Sequence, residues 1–173
     1  MIRIWSRIAV YTIVFVLLQV LVMNNIHLFG IVTPIIYLYV ILILPVDLSR
    51  SSVILVSFLL GLIIDVFSNT FGMHAAACSF IGFIRSPLLE RFVDMRELQE
   101  GSVPSYKAFG YIKFMRYTLI IVAIHHVSLF IIEAFSFFQP GTMIVRMLSS
   151  ILLSTLLILV IEAFNISKVK NGE

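Results

Sequence analysis

Ionisable side chains inside apolar runs are the first candidates for chemistry in this sequence. A charged group at the centre of a membrane helix costs at least about 2.5–3.5 kcal/mol, so it needs either a partner or a task. Six such side chains stand out: Asp65, His74, His125, His126, Glu133 and Arg146. Their roles depend on which of them lie at the same depth.

Two uncharged turns allow that depth to be compared. Asp65 and His74 lie at similar distances on either side of Asn69-Thr70, and Glu133 and Arg146 lie similarly about the 139–141 turn. At about 1.5 Å rise per residue, equal offsets in a helical hairpin place both pairs roughly 7–10 Å inside the outer boundary. We therefore predict that Glu133 pairs with Arg146 and that Asp65 contacts His74. The pattern favours ties between helices; the alternative is a polar site for a ligand or for a partner's transmembrane helix.

The two adjacent histidines do not form a recognisable metal motif. His125 and His126 point about 100° apart on a helix, and no cysteine or HExxH spacing accompanies them. We expect them to form hydrogen bonds with neighbouring helices, and we expect the single cysteine, Cys78, to serve packing. No nucleophile elbow, phosphate loop or metalloprotease helix occurs, so we predict a protein that is not an enzyme and needs no cofactor.

Composition identifies the elements that must hold these side chains. Of the 173 residues, 61% are hydrophobic and only 12% are charged, against about 25% charged in soluble domains. A hydrophobic run of about 20 residues can cross a bilayer as a helix. We predict a single all-α integral membrane domain, 1–173, with six transmembrane helices. Their approximate bounds are 5–23, 31–46, 52–67, 71–86, 117–138 and 142–164.

The positive charges indicate the orientation. Basic residues occupy every second connection and the intervening ones have none, which is the pattern that the positive-inside rule predicts for six spans. Both termini are therefore predicted to be cytoplasmic, and the first run is predicted to be a retained span rather than a signal peptide. Arg146 is the one basic residue outside this pattern. The placement at span ends argues against nucleic acid as a partner.

The predicted cytoplasmic loop 87–116 combines basic and aromatic residues. We expect a helix start at Ser86-Pro87 and a break between Gly101 and Pro104. Mixed basic and aromatic side chains settle in the headgroup layer of the bilayer, which favours a membrane-hugging loop. The alternative is a docking surface for a cytoplasmic partner, with Arg91, Arg96, Tyr106, Lys107, Phe109 and Lys113 as its candidate residues.

A stripe of small and polar residues predicts close packing of two helices. Gly61, Asp65 and Ser68 share one helical face, and the next helix carries the small residues of 75–79. The stretch 61–85 also resembles the rod-shape-determining protein MreD family. The resemblance rests on Gly61-Leu62-x-x-Asp65-x-x-Ser68, a short turn, Gly72 and a small-residue helix start. The stretch 124–135 resembles the Bacteroidetes-type version of that family.

The resemblance implies a non-catalytic component of the cell-elongation machinery in the bacterial inner membrane. Members of the family bind the bitopic protein MreC and regulate peptidoglycan synthesis and cell shape. They work with the filament protein MreB and with the elongation glycosyltransferase and transpeptidase. The family is similar in fold to the substrate-binding subunits of energy-coupling-factor vitamin transporters. A small-molecule-binding transporter subunit is therefore the alternative function, although the first helix does not supply the Ala-x-x-x-Ala docking face of such subunits.

Overall fold

A computed structural model describes residues 2–25, 32–94, 98, 101–134 and 140–170. Within these residues the fold contains helices and no β-sheet. The helices are α1 (Ile2–Leu21), α2 (Leu38–Leu42), α3 (Arg50–Ser68), α4 (Met73–Phe92), α5 (Tyr106–Phe109), α6 (Tyr111–Ala134) and α7 (Pro140–Lys170), and a 3₁₀ turn, Met23–Asn25, follows α1.

The surface of the long helices is apolar, which is the reverse of a soluble protein. Four segments are long and apolar enough to cross a membrane: Ile8–Asn25, Arg50–Ser68, Tyr111–Glu133 and Met143–Asn165. They expose large hydrophobic side chains such as Ile13, Val66, Ile131 and Leu152. Lipid is the solvent that tolerates such a surface. The chain is an all-α membrane protein.

The predicted second span differs most from expectation. In the described part of this run, residues 32–46, only Leu38–Leu42 is an α-helix, and residues 35–45 are buried. Pro34 and Pro45 bracket this short helix, and proline has no N–H to contribute to a longer one. Non-helical backbone at membrane depth is tolerated only where protein groups satisfy its hydrogen bonds. We call residues 32–46 the buried segment.

Two serines of α7 satisfy the start of the buried segment. The amide N–H groups of Thr33 and Ile35 donate to the Oγ atoms of Ser150 and Ser154, at 3.1 and 2.8 Å. Two residues of extended backbone advance about 6.6 Å, and one helical turn of four residues advances about 6 Å. The distance between Ser150 and Ser154 along α7 therefore matches the distance between the Thr33 and Ile35 N–H groups in extended backbone.

Gln19 of α1 satisfies the next backbone groups of the buried segment. Its side-chain oxygen accepts from the Ile36 N–H at 2.8 Å, and its side-chain amide donates to the Pro34 carbonyl at 3.0 Å. A single glutamine thus pairs with one backbone N–H and one backbone carbonyl that would have found backbone partners in a continuous helix.

Arg85 of α4 serves the other end of the buried segment. Its guanidinium donates to the carbonyl oxygens of Leu42, Leu44 and Pro45, and the side chain is 1% exposed. Arg85 falls at the end of the predicted run 71–86, and the positive-inside pattern counts it among the basic residues of the connection that follows. Its side chain is buried because carbonyls at and just after the end of α2 need donors, and a guanidinium carries five.

Helices α3 and α4 approach so closely that a glycine is required. A Cβ atom at Gly61 would lie 2.5 Å from the His74 carbonyl oxygen and 2.6 Å from the Ala75 Cα atom. The tight packing expected from the small-residue stripe is present at this point. The turn between the two helices contains Gly72 with φ +80°, a conformation that other residues rarely adopt.

The expected helix start at Ser86-Pro87 is absent, because α4 continues through Pro87 to Phe92. Proline within a helix leaves the carbonyl four residues earlier without its N–H donor. That carbonyl belongs to Phe83, and the Nε atom of Arg50 donates to it at 3.1 Å. The guanidinium also lies 4.0 Å from the centre of the Phe83 ring. The predicted loop 87–116 thus contains the end of α4, all of α5 and the start of α6.

Candidate functional site

Asp65 is the centre of the turn that joins α3 to α4. Its side chain is 4% exposed and accepts three hydrogen bonds: from Thr70 Oγ1 at 2.5 Å, from the His74 N–H at 3.0 Å and from the Ala75 N–H at 2.8 Å. The residue before α4 is Gly72, which has no side chain to cap the helix. The carboxylate of α3 therefore performs the N-cap role for α4.

The predicted contact between Asp65 and His74 is present, but the backbone of His74 makes it. The imidazole instead faces the buried segment, where its Nδ1 atom lies 2.7 Å from the hydroxyl of Tyr37. The same hydroxyl lies 3.0 Å from Nε2 of His125 on α6. Tyr37 is fully buried and so joins α4 to α6 through the centre of the protein.

The direction of these hydrogen bonds follows from counting protons. A tyrosine hydroxyl has one hydrogen, so Tyr37 donates to one imidazole and accepts from the other. The Nδ1 atom of His125 is buried and has no partner among the described residues. Orphan N–H groups are rarer than orphan acceptors in protein interiors, which assigns the His125 proton to Nε2. His125 then donates to Tyr37, and Tyr37 donates to His74.

His126 connects a different set of elements. Its Nδ1 atom lies 2.8 Å from the Val122 carbonyl oxygen, which fixes the proton on that nitrogen. Its Nε2 atom can then accept from Ser154 Oγ at 3.4 Å, while Ser154 accepts from the Ile35 N–H. Both histidines therefore bond to neighbouring elements, as the sequence predicted. We call Asp65, His74, Tyr37, His125, His126 and Ser154 the central polar chain.

The predicted pair of Glu133 and Arg146 is not formed. No ion pair joins them in the described part of the chain, and the Nε atom of Arg146 is buried without a hydrogen-bond partner there. Equal distance from a turn fixes the depth of two residues, but it does not fix the rotation of either helix about its axis. Glu133 is half-buried at the end of α6.

A second polar cluster was missed by the sequence reasoning. Glu162 of α7 accepts from the Tyr39 hydroxyl at 2.6 Å and from the Tyr106 N–H at 3.3 Å. Asn165 donates to the Tyr39 hydroxyl at 2.7 Å and accepts from Tyr11 at 3.0 Å. Glu162 is a carboxylate inside an apolar run, so the rule that singled out Asp65 would also have found it.

This second cluster attaches α5 to the helical bundle. Tyr106 donates through its hydroxyl to the Leu159 carbonyl at 3.1 Å, and its ring packs 4.9 Å from the ring of Phe114. Burial, then the Glu162 carboxylate and Tyr111, raise the pKa of Tyr106, which keeps its hydroxyl a neutral donor.

The candidate docking residues of the loop are split between interior and surface. Tyr106 and Phe109 are buried, whereas Arg91, Lys107 and Lys113 are exposed; Arg96 lies outside the described residues. The aromatic members thus hold α5 in place, and the basic members are available to a partner or to lipid.

The family-motif residues have identifiable structural roles. Gly61 permits the close approach and Asp65 caps α4, as described above. Ser68 accepts from the Asn24 side chain at 2.9 Å, which ties α3 to the end of α1. Leu62 is exposed on the lipid-facing side and lines, with Asp65 and Gly72, an open cavity of about 170 Å³ at the turn.

The hydrogen bonds of the two polar clusters connect the helices to one another and to the buried segment. Of the buried side-chain oxygen and nitrogen atoms of the central polar chain, only His125 Nδ1 has no hydrogen-bond partner among the described residues. Within the described ranges, no group of three histidine, cysteine, aspartate or glutamate side chains is placed to hold a metal ion. No family model, curated protein or solved structure matches the chain.

Proposed function

We propose that this chain is a non-catalytic membrane scaffold similar to MreD, which binds an MreC-like bitopic protein and so regulates peptidoglycan synthesis and cell shape. The observation that carries the proposal is the α3–α4 hairpin. The polar and glycine residues of the motif, Gly61, Asp65, Ser68 and Gly72, each have a structural role in this hairpin. A motif whose residues serve architecture suits a rigid surface for partners better than it suits catalysis.

The distribution of polar groups supports a scaffold in the same way. Interior polar side chains such as Tyr37, Asp65 and Glu162 bond to each other or to backbone, while the outward surface is apolar and extensive. A partner's transmembrane helix can pack on such a surface without displacing internal hydrogen bonds. MreB and the elongation glycosyltransferase and transpeptidase would join the complex through MreC or through the connection between α4 and α6.

The proposal includes six membrane crossings in the bacterial inner membrane, with both termini cytoplasmic. Support comes from the four long apolar helices, from the length of α4 and from the buried segment. The buried segment needs fewer residues than a helix because part of it is non-helical and advances about 3.3 Å per residue. The alternation of basic and uncharged connections supports the orientation.

Thiol labelling in intact cells tests the orientation. Phe71 is 98% exposed in the α3–α4 turn, and Cys78, the single cysteine, is fully buried. A Cys78→Ala, Phe71→Cys protein should react with a membrane-impermeant maleimide added outside the cytoplasmic membrane. A matched Cys78→Ala, Lys107→Cys protein should react only after the cells are opened. The reverse pattern would contradict the proposed orientation.

Co-purification tests the function. The chain and the MreC-like protein of the same organism would be co-expressed and isolated through a tag on one of them, with an unrelated bitopic protein as the control. We expect a stoichiometric complex with the MreC-like protein alone. Tryptophan at Ile13, Val66, Ile131 or Leu152, one exposed position on each long helix, should then identify the contact face. Absence of a complex, with normal cell shape on depletion, would contradict the proposal.

A vitamin-transporter subunit is the second candidate, and one observation favours it. The buried segment is a short helix flanked by non-helical backbone, and broken helices form the substrate sites of many transporters. The proposed similarity in fold to energy-coupling-factor subunits belongs to this candidate as well. Binding of riboflavin, thiamine or biotin to the purified chain separates the two: saturable binding supports the transporter subunit, and no binding to any of the three supports the scaffold.

A further inference from the structure

The junction of α5 and α6 carries three exposed cations beside an exposed apolar stripe. The cations are Lys107, Lys113 and Arg116. The stripe consists of Tyr111, Ile112, Met115 and Leu119, with Tyr111 67% exposed. At 100° per residue, the stripe residues occupy about 100° of the helix surface; Arg116 lies about 40° beyond its Ile112 edge and Lys113 about 100° beyond that edge. We call this surface the α5–α6 elbow.

The elbow is held rigidly, because its other aromatic rings pack inward. Phe109 lies 6.1 Å from Tyr117, and Tyr106 lies 4.9 Å from Phe114, measured between ring centres. All four are buried. Lys107 and Lys113 therefore project from fixed backbone rather than from a free loop.

The three cations have no neutralising partner in the described ranges. No carboxylate there forms an ion pair with Lys107, Lys113 or Arg116. The nearby Glu162 is buried and already accepts from Tyr39 and Tyr106. Within the part of the chain that the structure describes, the elbow thus presents uncompensated positive charge at the edge of an apolar helix.

Two of the cations lie close enough together along α6 to share one headgroup layer. Lys113 and Arg116 are separated by about 4.5 Å along α6. Polar headgroup regions add about 10–15 Å to a hydrocarbon core of about 30 Å, or about 5–8 Å on each side. Both cations fit within one such layer, and Leu119, about 4.5 Å further along α6 than Arg116, contacts acyl chains. Long basic side chains reach outward from this depth to phosphate.

We infer that the α5–α6 elbow is a binding surface for anionic phospholipid headgroups, with Lys107, Lys113 and Arg116 contacting the phosphate groups and the inner end of the apolar stripe contacting the acyl chains. The surface fits a lipid better than an acidic protein, since apolar side chains and cations alternate on one helix that continues into the membrane. This inference is independent of the MreC-binding proposal.

Fluorescence quenching by brominated lipids tests the inference. Trp5 is the single tryptophan, so a Trp5→Phe, Tyr111→Trp protein carries a reporter only at the elbow. The protein would be reconstituted in vesicles of phosphatidylcholine and phosphatidylglycerol, with one lipid brominated at a time. The ratio of quenching gives the binding constant of phosphatidylglycerol relative to phosphatidylcholine. A cation near an anionic bilayer surface contributes about fivefold.

We expect a relative binding constant of about five or more at the elbow, falling to about one in a Lys107→Gln, Lys113→Gln, Arg116→Gln variant. The charge-conserving variant Lys107→Arg, Lys113→Arg, Arg116→Lys should keep the preference. A Trp5→Phe, Phe71→Trp reporter at the uncharged turn should show none. A constant near one at the elbow, or a constant unchanged by neutralisation, would overturn the inference and would favour a protein partner for these cations.

Discussion

Replacing Asp65 by alanine removes the α3 side chain that caps α4. Three donors lose their acceptor: the Thr70 hydroxyl and the amide groups of His74 and Ala75. The hydroxyl can rotate towards water in the adjacent open cavity, but the two amides are fixed by the helix. The stability effect should therefore come chiefly from those two amides.

The magnitude follows from two unpaired amides. Leaving a buried donor unsatisfied costs about 1–3 kcal/mol, and loss of an N-cap costs about 0.5–2 kcal/mol. Water entering from the cavity lowers the cost for His74, whereas Ala75 is buried. We expect Asp65→Ala to lower the free energy of unfolding by about 2–4 kcal/mol. Asp65→Asn should cost less, because its side-chain oxygen still accepts one bond.

The single cysteine provides the assay. Cys78 lies on α4, one turn beyond His74, and is fully buried, so a thiol-reactive dye reports the opening of α4 in detergent micelles. Where opening and closing are fast, 2–4 kcal/mol corresponds to a roughly 30- to 1,000-fold faster reaction. Asp47→Asn, at an exposed loop carboxylate, is the matched control and should change the rate less than threefold. Equal rates for Asp65→Ala and Asp47→Asn would refute the capping role.

Three further predictions use the same dye assay. Gly61→Ala should destabilise by about 1–3 kcal/mol or more, because the new methyl group meets helix backbone rather than a flexible side chain. Tyr37→Phe should cost about 2–4 kcal/mol, since two buried imidazoles lose their shared hydroxyl. Arg50→Met should cost about 0.5–1.5 kcal/mol in the parent chain and less in a Pro87→Ala background, where the restored N–H can serve the freed carbonyl.

Each of these has a control that leaves the same region intact. Ala76→Gly removes a methyl group from an exposed position of α4 and should cost only its helix propensity, about 1 kcal/mol. Tyr111→Phe removes an exposed hydroxyl and should cost less than 0.5 kcal/mol. Strict additivity of Arg50→Met and Pro87→Ala would contradict the proposed replacement of the helix bond. Full stability of Tyr37→Phe would contradict its bridging role.

Composition and periodicity determined the class of protein and the positions of most long helices. The helices α1, α3, α6 and α7 follow the predicted runs closely, because an apolar run of that length has few other stable states. Close packing of α3 on α4 could also be predicted, since Gly61 and the alanines around 75–77 lie on facing stripes. The contact between Asp65 and the start of α4 could be predicted because Asp65 and His74 lie at similar distances from the turn between α3 and α4.

The tertiary structure decided what the run 31–46 becomes and which polar groups meet. The apolar sequence of this run is compatible with a helix and also with a buried irregular segment. The irregular form is stable because side chains distant in sequence supply the hydrogen bonds that a helix would have made within itself; they are Gln19, Arg85, Ser150 and Ser154. Pairing of Glu133 with Arg146 was wrong because sequence fixes depth along a helix, whereas rotation about its axis is set by packing. The sequence alone therefore determined that the long helices face lipid, and the tertiary structure decided which polar side chains form hydrogen bonds with one another.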